Sequence, residues 1–174
     1  MNFHQDKPTL GNTVVLIITY NPDHFLDERI FILLKQINNI YIVDNSDKNI
    51  TRKKVNDICK KCGIELLQNN ENFGIAKALN QGFQLIQKKD KNAKWVLTLD
   101  QDSICSEDLI SNLFNCYHLM IKESPLGIIG TNYREKTTEQ VLHNPTTNLA
   151  AEIVEKLPTS GCLTNINAYC STKG

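Results

Sequence analysis

The sequence repeats one unit along its length: a short, mainly apolar run that ends at polar side chains and is followed by residues with helical spacing. The runs are Val14–Ile18, Ile40–Val43, Ile64–Leu67 and Trp95–Leu99. Continuous runs of β-branched and other apolar residues are typical of strands that are buried on both faces of a parallel sheet. Strands that alternate with helices join through right-handed crossovers, which pack the helices against the sheet. The sequence therefore predicts an α/β fold in which a mostly parallel sheet is flanked by helices.

Turn residues and helical spacing predict the bounds of the other elements. Gly63 has the position of a glycine that ends a helix, and Asn72 that of an N-cap before a helix at Phe73–Ile86. Within that helix Asn80 and Gly82 are poor helix formers, and close packing of the helix against the sheet would explain them. The same patterns predict a helix after Pro22, a helix after Ser106, a strand at Gly127–Gly130, a polar leader at residues 1–12 and an irregular excursion at residues 131–158.

Composition limits the classes of protein to which the chain can belong. Its 174 residues, 41% of them hydrophobic, suit a single domain over residues 1–174. Lys plus Arg and Asp plus Glu both number 19, so the chain lacks the excess positive charge of a protein that binds nucleic acid. No apolar run approaches the roughly 18 residues of a membrane-spanning helix, and no signal-peptide pattern is present. These features predict a cytoplasmic protein that recognises its partner through a local site.

The 6 cysteines do not have the pattern of a small disulfide-rich protein, which indicates reduced thiols. Cys59 and Cys62 have the spacing of half a zinc site, but no second pair with that spacing follows. We therefore favour the interpretation that they lie on a surface helix and bind no metal.

The stretch Trp95–Ser103 joins a buried strand to two carboxylates at its end. Asp100 and Asp102 are two residues apart, so we expect them to point to the same side while Gln101 points away. Two carboxylates this close repel each other unless a cation lies between them, and hard divalent ions take carboxylate ligands. A solvated turn whose Asp caps the next helix is the alternative. The position directly after a buried strand leaves the two interpretations evenly balanced.

Polar residues follow each predicted strand, and ligands of parallel α/β sheets bind at the carboxyl ends of the strands. That rule gathers one set of candidates along one edge of the sheet: Thr19, Tyr20, Asn21, Asp44, Asn45, Asn72, Asp100 and Asp102. The first strand lacks the glycine-rich turn of a dinucleotide fold, and no phosphate loop is present. We therefore expect a metal held by Asp residues to bind the phosphates that a glycine loop binds elsewhere.

Five stretches resemble, in order, the inverting family 2 glycosyltransferases of the GT-A fold, and within them the bacterial rhamnosyltransferase-like branch. They are Ile17–Asn21, Val43–Asn45, Asn72–Gly82, Leu99–Ser103 and Thr159–Gly161. The resemblance implies a GT-A, Rossmann-like fold with a nucleotide-sugar site at the carboxyl ends of the strands. It also implies Mn²⁺ or Mg²⁺ as the cofactor.

The resemblance further implies roles for individual residues. Tyr20 would lie against the base, Asp44 would accept a hydrogen bond from the base imide, Asp100 would lie near the ribose, and Asp102 would hold the metal on the diphosphate. Each residue also has an ordinary interpretation, since Tyr20 could pack over the strand end and Asp44 could form an Asx-turn. The remaining expected donor contacts are Thr19, Asn21, Asn45, Asn72, Gly74 and Lys77, of which Lys77 could equally be a solvated surface lysine.

The reaction implied is inverting displacement at the anomeric carbon of a nucleoside-diphosphate sugar, with dTDP-rhamnose or a UDP-sugar as the expected donor. The acceptor would be a cell-envelope polysaccharide or a lipid-linked glycan, which would place the protein at the inner face of the plasma membrane. In the family a catalytic base follows a Gly-Gly-Phe-Asp-like turn, which we expect beyond Gly174, so no residue of this chain is predicted to be that base. A truncated enzyme and a non-catalytic nucleotide-sugar-binding module remain open, as does a nucleotidyltransferase. An apolar surface left by a missing C-terminal part would favour association with a membrane or into a homo-oligomer.

Overall fold

The computed structural model describes residues 6–121, 126–132, 134, 138, 141 and 151–172. In this part of the chain the sheet has six strands in the order β3-β2-β1-β4-β6-β5. They are β1 (Thr13–Thr19), β2 (Ile40–Asp44), β3 (Glu65–Gln68), β4 (Trp95–Asp100), β5 (Ile128–Gly130) and β6 (Cys162–Asn165). β1 is parallel to β2 and β4, and β2 is parallel to β3, whereas β6 runs antiparallel to both β4 and β5. The predicted α/β fold with a mostly parallel sheet is confirmed.

Helices cover both faces of the sheet. They are α1 (Leu26–Leu34), α2 (Asn49–Cys62), α3 (Ile75–Lys89), α4 (Leu109–Met120) and α5 (Ile166–Ser171). Val15 and Ile17 of β1 pack in the core under α1, α2 and α4, while Val14, Leu16 and Ile18 pack in the core under α3 and α5. Alternate side chains of a strand point to opposite faces, so a strand covered on both faces must be apolar at every position. This is why β1 is a continuous apolar run and is buried throughout.

The contact between α3 and the sheet explains why the poor helix former Gly82 occurs in mid-helix, but it does not explain Asn80. A Cβ atom on Gly82 would lie 2.5 Å from the Leu16 methyl groups, so only glycine fits there and the predicted packing against the sheet is confirmed. Asn80 instead accepts a hydrogen bond from the hydroxyl of Tyr169 on α5, and Phe83 stacks on the Tyr169 ring at 3.9 Å between ring centroids. The explanation of Asn80 by packing against the sheet was therefore wrong, because its partner lies on a neighbouring helix.

Two helix boundaries test the sequence signals. Gly63 ends α2 with φ 68°, as predicted for a glycine in the left-handed conformation. Asn72 is not the N-cap of α3, which was a wrong prediction: Gly74 holds that position, and the Asn72 side chain accepts a hydrogen bond from the Gly74 N–H at 2.9 Å. The Asx-turn that results lies one step before the helix, and α3 runs from Ile75 to Lys89 instead of ending at Ile86.

The two irregular regions of the prediction are only partly described. Residues 1–5 and most of the predicted excursion at residues 131–158 lie outside the described residues. The described end of the leader packs against the start of β4, where the Trp95 indole N–H donates to the Asp6 carbonyl at 2.7 Å. β6 and α5 were not predicted, and β6 fills the place in the sheet between β4 and β5.

All 6 cysteines are free, and burial raises the pKa of the Cys59 thiol to about 12. Cys59 and Cys62 both lie on α2, with Cys59 turned into the core. The described residues contain no group of three or more His, Cys, Asp or Glu side chains placed to hold a metal. Within the same residues, no helix has the length and apolar character needed to cross a membrane.

Candidate functional site

A cleft of about 310 Å³ opens at the carboxyl ends of β1 and β4. β2 and β3 extend the sheet on one side of β1, and β4 lies on the other side. The connection to β4 runs through α3, which packs on the face of the sheet opposite to α1 and α2. The strand order reverses between β1 and β4, and such a reversal leaves a crevice in which α/β proteins bind their ligands. The cleft is lined by Ile18, Thr19, Tyr20, Asn45, Asn72, Gly74, Ile75, Asp100, Gln101 and Asp102.

Most of the predicted site residues thus meet in one place. Three do not line the cleft: Asp44 is buried at the end of β2, Asn21 is half-buried after Tyr20, and Lys77 is exposed on α3. The Lys77 ammonium group lies 3.5 Å from the centre of the Phe73 ring, in a cation–π contact. Three further residues line the cleft that were not predicted from the sequence, and they are Ile18, Ile75 and Gln101.

Asp44 is fully buried at the end of β2 and has four hydrogen-bond donors. Its Oδ1 accepts from the Thr19 hydroxyl at 2.8 Å and from the Ser46 N–H and hydroxyl at 3.1 and 2.6 Å. Its Oδ2 accepts from the Gln68 amide at 2.9 Å. The bond from the Ser46 N–H is an Asx-turn, so the ordinary interpretation of Asp44 holds in the structure. Four donors satisfy a buried charge without a bound ligand.

Tyr20 forms the wall of the cleft on the β1 side, and the loop after β2 fixes both Tyr20 and the neighbouring Asn21. The Tyr20 hydroxyl donates to Asp47 Oδ2 at 3.1 Å, and the Asn21 amide donates to Asp47 Oδ1 at 2.7 Å. The Asn21 N–H donates to the Ser46 hydroxyl at 2.9 Å, and Asn21 adopts the left-handed conformation with φ 44°. The pKa of Tyr20 is raised, chiefly by its hydrogen bond to the Asp47 carboxylate. Tyr20 remains 43% exposed and lines the cleft.

The alternation of an extended strand predicts that Gln101 points away from the two acids, and this prediction was wrong, because Gln101 lines the cleft with them. The reason is that β4 ends at Asp100 and the chain turns there. Its amide oxygen accepts from the Tyr20 N–H at 2.7 Å, and its amide nitrogen donates to the Tyr20 carbonyl at 3.2 Å. Arg29 of α1 donates to the Gln101 carbonyl at 3.1 Å and holds Asp23 in a bidentate pair at 2.7 and 2.9 Å. That hydrogen bond to Asp23 is the main reason why the pKa of Arg29 is raised, and the nearby charge of Asp102 adds to it.

Asp100 and Asp102 both line the cleft, as predicted. Partial burial of its carboxyl group raises the pKa of Asp100, the like charge of Asp102 raises it further, and the Ser160 hydroxyl opposes the shift. Ser160 also accepts from the Asp100 N–H at 2.9 Å and lies 3.0 Å from the Ser103 hydroxyl. A cation between the two carboxylates would relieve their repulsion, and carboxylate oxygens suit Mn²⁺ or Mg²⁺. The two acids therefore fit a divalent ion whose other ligands come from a bound diphosphate or from water.

The turn Thr159–Gly161 is fixed against the end of β4. The Thr98 hydroxyl donates to the Thr159 carbonyl at 2.5 Å, and the Gly161 N–H donates to the Thr98 carbonyl at 2.7 Å. Gly161 has φ 76°, and a Cβ atom there would lie 2.1 Å from the Thr131 hydroxyl oxygen. Glycine is therefore required at this position, and the turn places Ser160 beside the acid pair.

A cluster of buried amides supports the α3 side of the cleft. Asn69 and Gln81 exchange two hydrogen bonds at 2.8 and 3.0 Å, and Asn69 also donates to the Asn45 amide oxygen at 2.8 Å. Asn45 in turn donates to the Gly74 carbonyl at 3.3 Å, so the cluster fixes the first turn of α3 relative to β2. Asn69 and Gln81 were missed by the sequence analysis, although the run of polar residues after β3 was a signal for the first of them.

Solved structures share this fold over much of the chain. The structure described as S. aureus TarS 1–349 superposes with a TM-score of 0.59 at 16% identity, covering 93% of this chain and 49% of that one. A 4-diphosphocytidyl-2C-methyl-D-erythritol synthase superposes with a TM-score of 0.55 at 12% identity, covering 89% of this chain and 75% of that one. At these identities the likeness shows the fold alone. A longer S. aureus TarS structure matches 64% of this chain with a TM-score of 0.48 at 19% identity, and the chain spans 20% of its length.

Sequence comparison gives the family. Among curated proteins, no sequence matches this chain. The family profile described as Glycosyl transferase family 2 matches residues 14–165, which run from β1 to the end of β6. Because that match covers well over half of the 174 residues, and the sheet and its helices have the GT-A-like arrangement, the chain belongs to glycosyl transferase family 2.

Proposed function

We propose that this chain carries the donor site of an inverting glycosyltransferase that uses a metal-bound nucleoside-diphosphate sugar. One observation supports this most: an exposed aromatic ring, two carboxylates and several backbone and amide groups surround a single cleft. An aromatic face suits a nucleobase, and a pair of carboxylates suits a divalent ion that carries a diphosphate. The cleft is lined by both kinds of group, as binding of a nucleoside diphosphate requires.

The nucleoside would lie on the β1 side. Tyr20 would offer its ring to the base, while Asp47 fixes its hydroxyl. The contact of Asp44 with the base imide stays a prediction; because Asp44 is buried with four donors, that contact needs the Gln68 amide to release Oδ2. Otherwise Asp44 acts by orienting Thr19, which lines the cleft.

The diphosphate and sugar would lie on the β4 side. Asp102 and Asp100 would hold Mn²⁺ or Mg²⁺, with Asp100 also near the ribose. When bound, the ion would offset the negative charge that develops on the leaving diphosphate. Gly74 and Asn72 would contact the donor from the start of α3, and Lys77 would reach the diphosphate only after leaving the Phe73 ring.

The proposed reaction is a direct displacement. An acceptor hydroxyl attacks the anomeric carbon from the face opposite the diphosphate, the bond to the diphosphate breaks, and the configuration inverts. The hydroxyl proton passes to a carboxylate base that we do not assign to any residue of this chain. We propose dTDP-rhamnose or a UDP-sugar as the donor and a cell-envelope polysaccharide or lipid-linked glycan as the acceptor. The reaction would then occur in the cytoplasm, at the inner face of the plasma membrane.

The test is calorimetric titration with dTDP and UDP, each with Mn²⁺ and again with EDTA. We expect one of the two nucleotides to bind in the presence of Mn²⁺ and to lose affinity by at least tenfold in EDTA. Asp102→Ala should remove the effect of the metal, because one of its two carboxylate ligands is gone. Asp57→Ala removes an acid from the exposed face of α2, away from the cleft, and should bind as the wild type does.

Two results would contradict the proposal. If neither nucleotide binds to the folded protein, the proposed donor site is wrong. If a nucleotide binds equally strongly with EDTA, or to Asp102→Ala, the site binds the nucleotide but the proposed role of the metal is wrong. Transfer of the sugar is a separate question, and it needs donor binding to be established first.

A further inference from the structure

We propose that Gln101 is a positioning residue that couples the pair Asp100 and Asp102 to Tyr20, so that a cation on the acid pair strengthens binding of the nucleoside. This inference rests on the proposed function and assigns to the residue between the two acids a task that the acids do not perform. Gln101 lies between Asp100 and Asp102 in sequence and is bonded to Tyr20, whose ring is the proposed base platform.

Gln101 makes two hydrogen bonds to the backbone of Tyr20, one as acceptor and one as donor. The Gln101 amide oxygen accepts from the Tyr20 N–H at 2.7 Å, and the amide nitrogen donates to the Tyr20 carbonyl at 3.2 Å. A backbone N–H requires an acceptor and a carbonyl requires a donor, so the two partners fix which way the amide faces. An amide carries a separate acceptor atom and donor atom side by side at the end of the side chain, and asparagine, the other side chain with an amide, is one methylene shorter.

The other end of Gln101 is fixed as well. Its carbonyl accepts from Arg29 at 3.1 Å, and Arg29 is itself held by the bidentate contact with Asp23. The turn after β4 is therefore tied to α1 by its backbone and to the end of β1 by its side chain. A shift of Asp100 or Asp102 that moved this turn would disturb the Tyr20 backbone.

The coupling follows from the state of the acid pair. Without a cation, the two carboxylates repel each other and oppose a single arrangement of the turn. A cation that both acids bind would remove this repulsion and so raise the population of the arrangement in the structure, in which the Gln101 amide is bonded to the Tyr20 backbone and holds the base platform in place. The nucleoside then binds to a platform that has already lost its conformational freedom, and this appears as higher affinity.

The experiment removes the diphosphate, which is the group of the donor that a cation would bind directly. Uridine and thymidine carry no phosphate, so an effect of Mg²⁺ on their binding that depends on Gln101 must pass through the protein. Titrations followed by nuclear magnetic resonance of ¹⁵N-labelled wild-type protein should show Mg²⁺ raising the affinity for one nucleoside roughly fivefold, the low end of typical coupling between sites. Gln101→Met removes both hydrogen bonds at nearly the same size, and the factor should fall to about one.

Gln36 provides a matched control. Its amide also joins two backbone groups of a distant segment, donating to the Ser106 carbonyl at 2.9 Å and accepting from the Ile110 N–H at 3.1 Å, but it does not line the cleft. Gln36→Met should lose comparable stability and keep the coupling factor of the wild type. Gln101→Asn, which keeps an amide but cannot reach both groups, serves as the second variant should the methionine protein not fold.

The outcomes distinguish this inference from the proposed function. A wild type that binds UDP or dTDP but shows no effect of Mg²⁺ on either nucleoside would overturn the coupling alone. A fivefold effect that persists in both Gln101 variants, or that is lost equally in Gln36→Met, would overturn it too. A wild type that binds no nucleotide at all would overturn the proposed function and this inference with it.

Discussion

Replacing Gly82 by alanine tests whether the contact between α3 and β1 is as close as the structure shows. A Cβ atom at residue 82 would lie 2.5 Å from both terminal methyl carbons of Leu16 and 3.1 Å from its Cγ. Leu16 is fully buried beneath α3, so its side chain can move aside only by displacing other groups of the core. Either the packing around Leu16 or α3 must therefore move, although an alanine would be the better helix former at this position.

The net effect is the difference between two opposing contributions. Alanine in a helix interior is more favourable than glycine by about 1 kcal/mol. Overpacking a core by one carbon destabilises by about 1–3 kcal/mol, and a contact with two buried methyl groups belongs in the upper half of that range. We expect Gly82→Ala to lower the free energy of unfolding by about 1–2 kcal/mol, which corresponds to roughly 2–8 °C in Tm for a domain of this size.

The decisive measurement is the free energy of unfolding in urea, comparing the effect of Gly82→Ala in the wild type with its effect in Leu16→Ala. Leu16→Ala alone should destabilise by about 2–5 kcal/mol because it opens a cavity. In that background the obstructing methyl groups are gone, so Gly82→Ala should now stabilise by about 1 kcal/mol. Gln84→Ala on the exposed face of α3 should change stability by less than about 0.5 kcal/mol in either background. If Gly82→Ala destabilises by the same amount with and without the Leu16 side chain, the packing argument is refuted.

Two further predictions concern the loops around the cleft. The bidentate contact with Arg29 lowers the pKa of Asp23 from 3.8 to about 2, so its stabilising effect is complete above pH 3.8 and disappears as the pH falls through about 2. The difference in unfolding free energy between wild type and Asp23→Asn should therefore shrink over that acid range, and a difference that stays constant would contradict the pairing. Gly161 and Gly74 have nearly equal φ values of 76° and 79°, but only at Gly161 would a Cβ atom meet another group, the Thr131 hydroxyl oxygen. Gly74→Ala should destabilise by about 1–3 kcal/mol from backbone strain alone, because φ 79° with ψ 166° is a conformation almost confined to glycine. Gly161→Ala should destabilise by more, because its Cβ atom would also overlap the Thr131 hydroxyl oxygen, as thermal unfolding of the two variants would show; equal losses would mean that the contact with Thr131 is absent.

The position of the cleft could be predicted from the sequence because it depends only on the direction of the strands. Parallel strands present their carboxyl ends at the same edge, so residues that follow β1, β2 and β4 had to be neighbours. Tyr20, Asn45, Asp100 and Asp102 accordingly line one cleft. Burial at Gly82 was predictable for a similar reason, since a glycine in mid-helix indicates close approach of another element.

Details that depend on side chains from distant segments were not predictable. Asp44 is buried because Gln68 of the neighbouring strand and Thr19 of β1 both donate to it, and nothing in the sequence around Asp44 indicates either contact. Asn72 fits the N-cap pattern, yet the left-handed backbone of Gly74 displaces the start of α3 by two residues. β6 was missed because a run of four residues, Cys162–Asn165, is too short to show the alternation of a strand before its partners β4 and β5 are known.

Gln101 shows most clearly where a rule for extended chains stops applying. The alternation of side chains holds only while the backbone remains a strand, and β4 ends at Asp100. In the turn that follows, the side chain of Gln101 reaches the end of the neighbouring strand β1, and the Tyr20 N–H and carbonyl satisfy both of its polar groups. The same turn keeps Asp100 and Asp102 on the cleft wall, although they are no longer related by strand geometry. The spacing of the two acids thus leaves room for a third polar group between them, and in this fold that group is bonded to the backbone of Tyr20 at the end of β1.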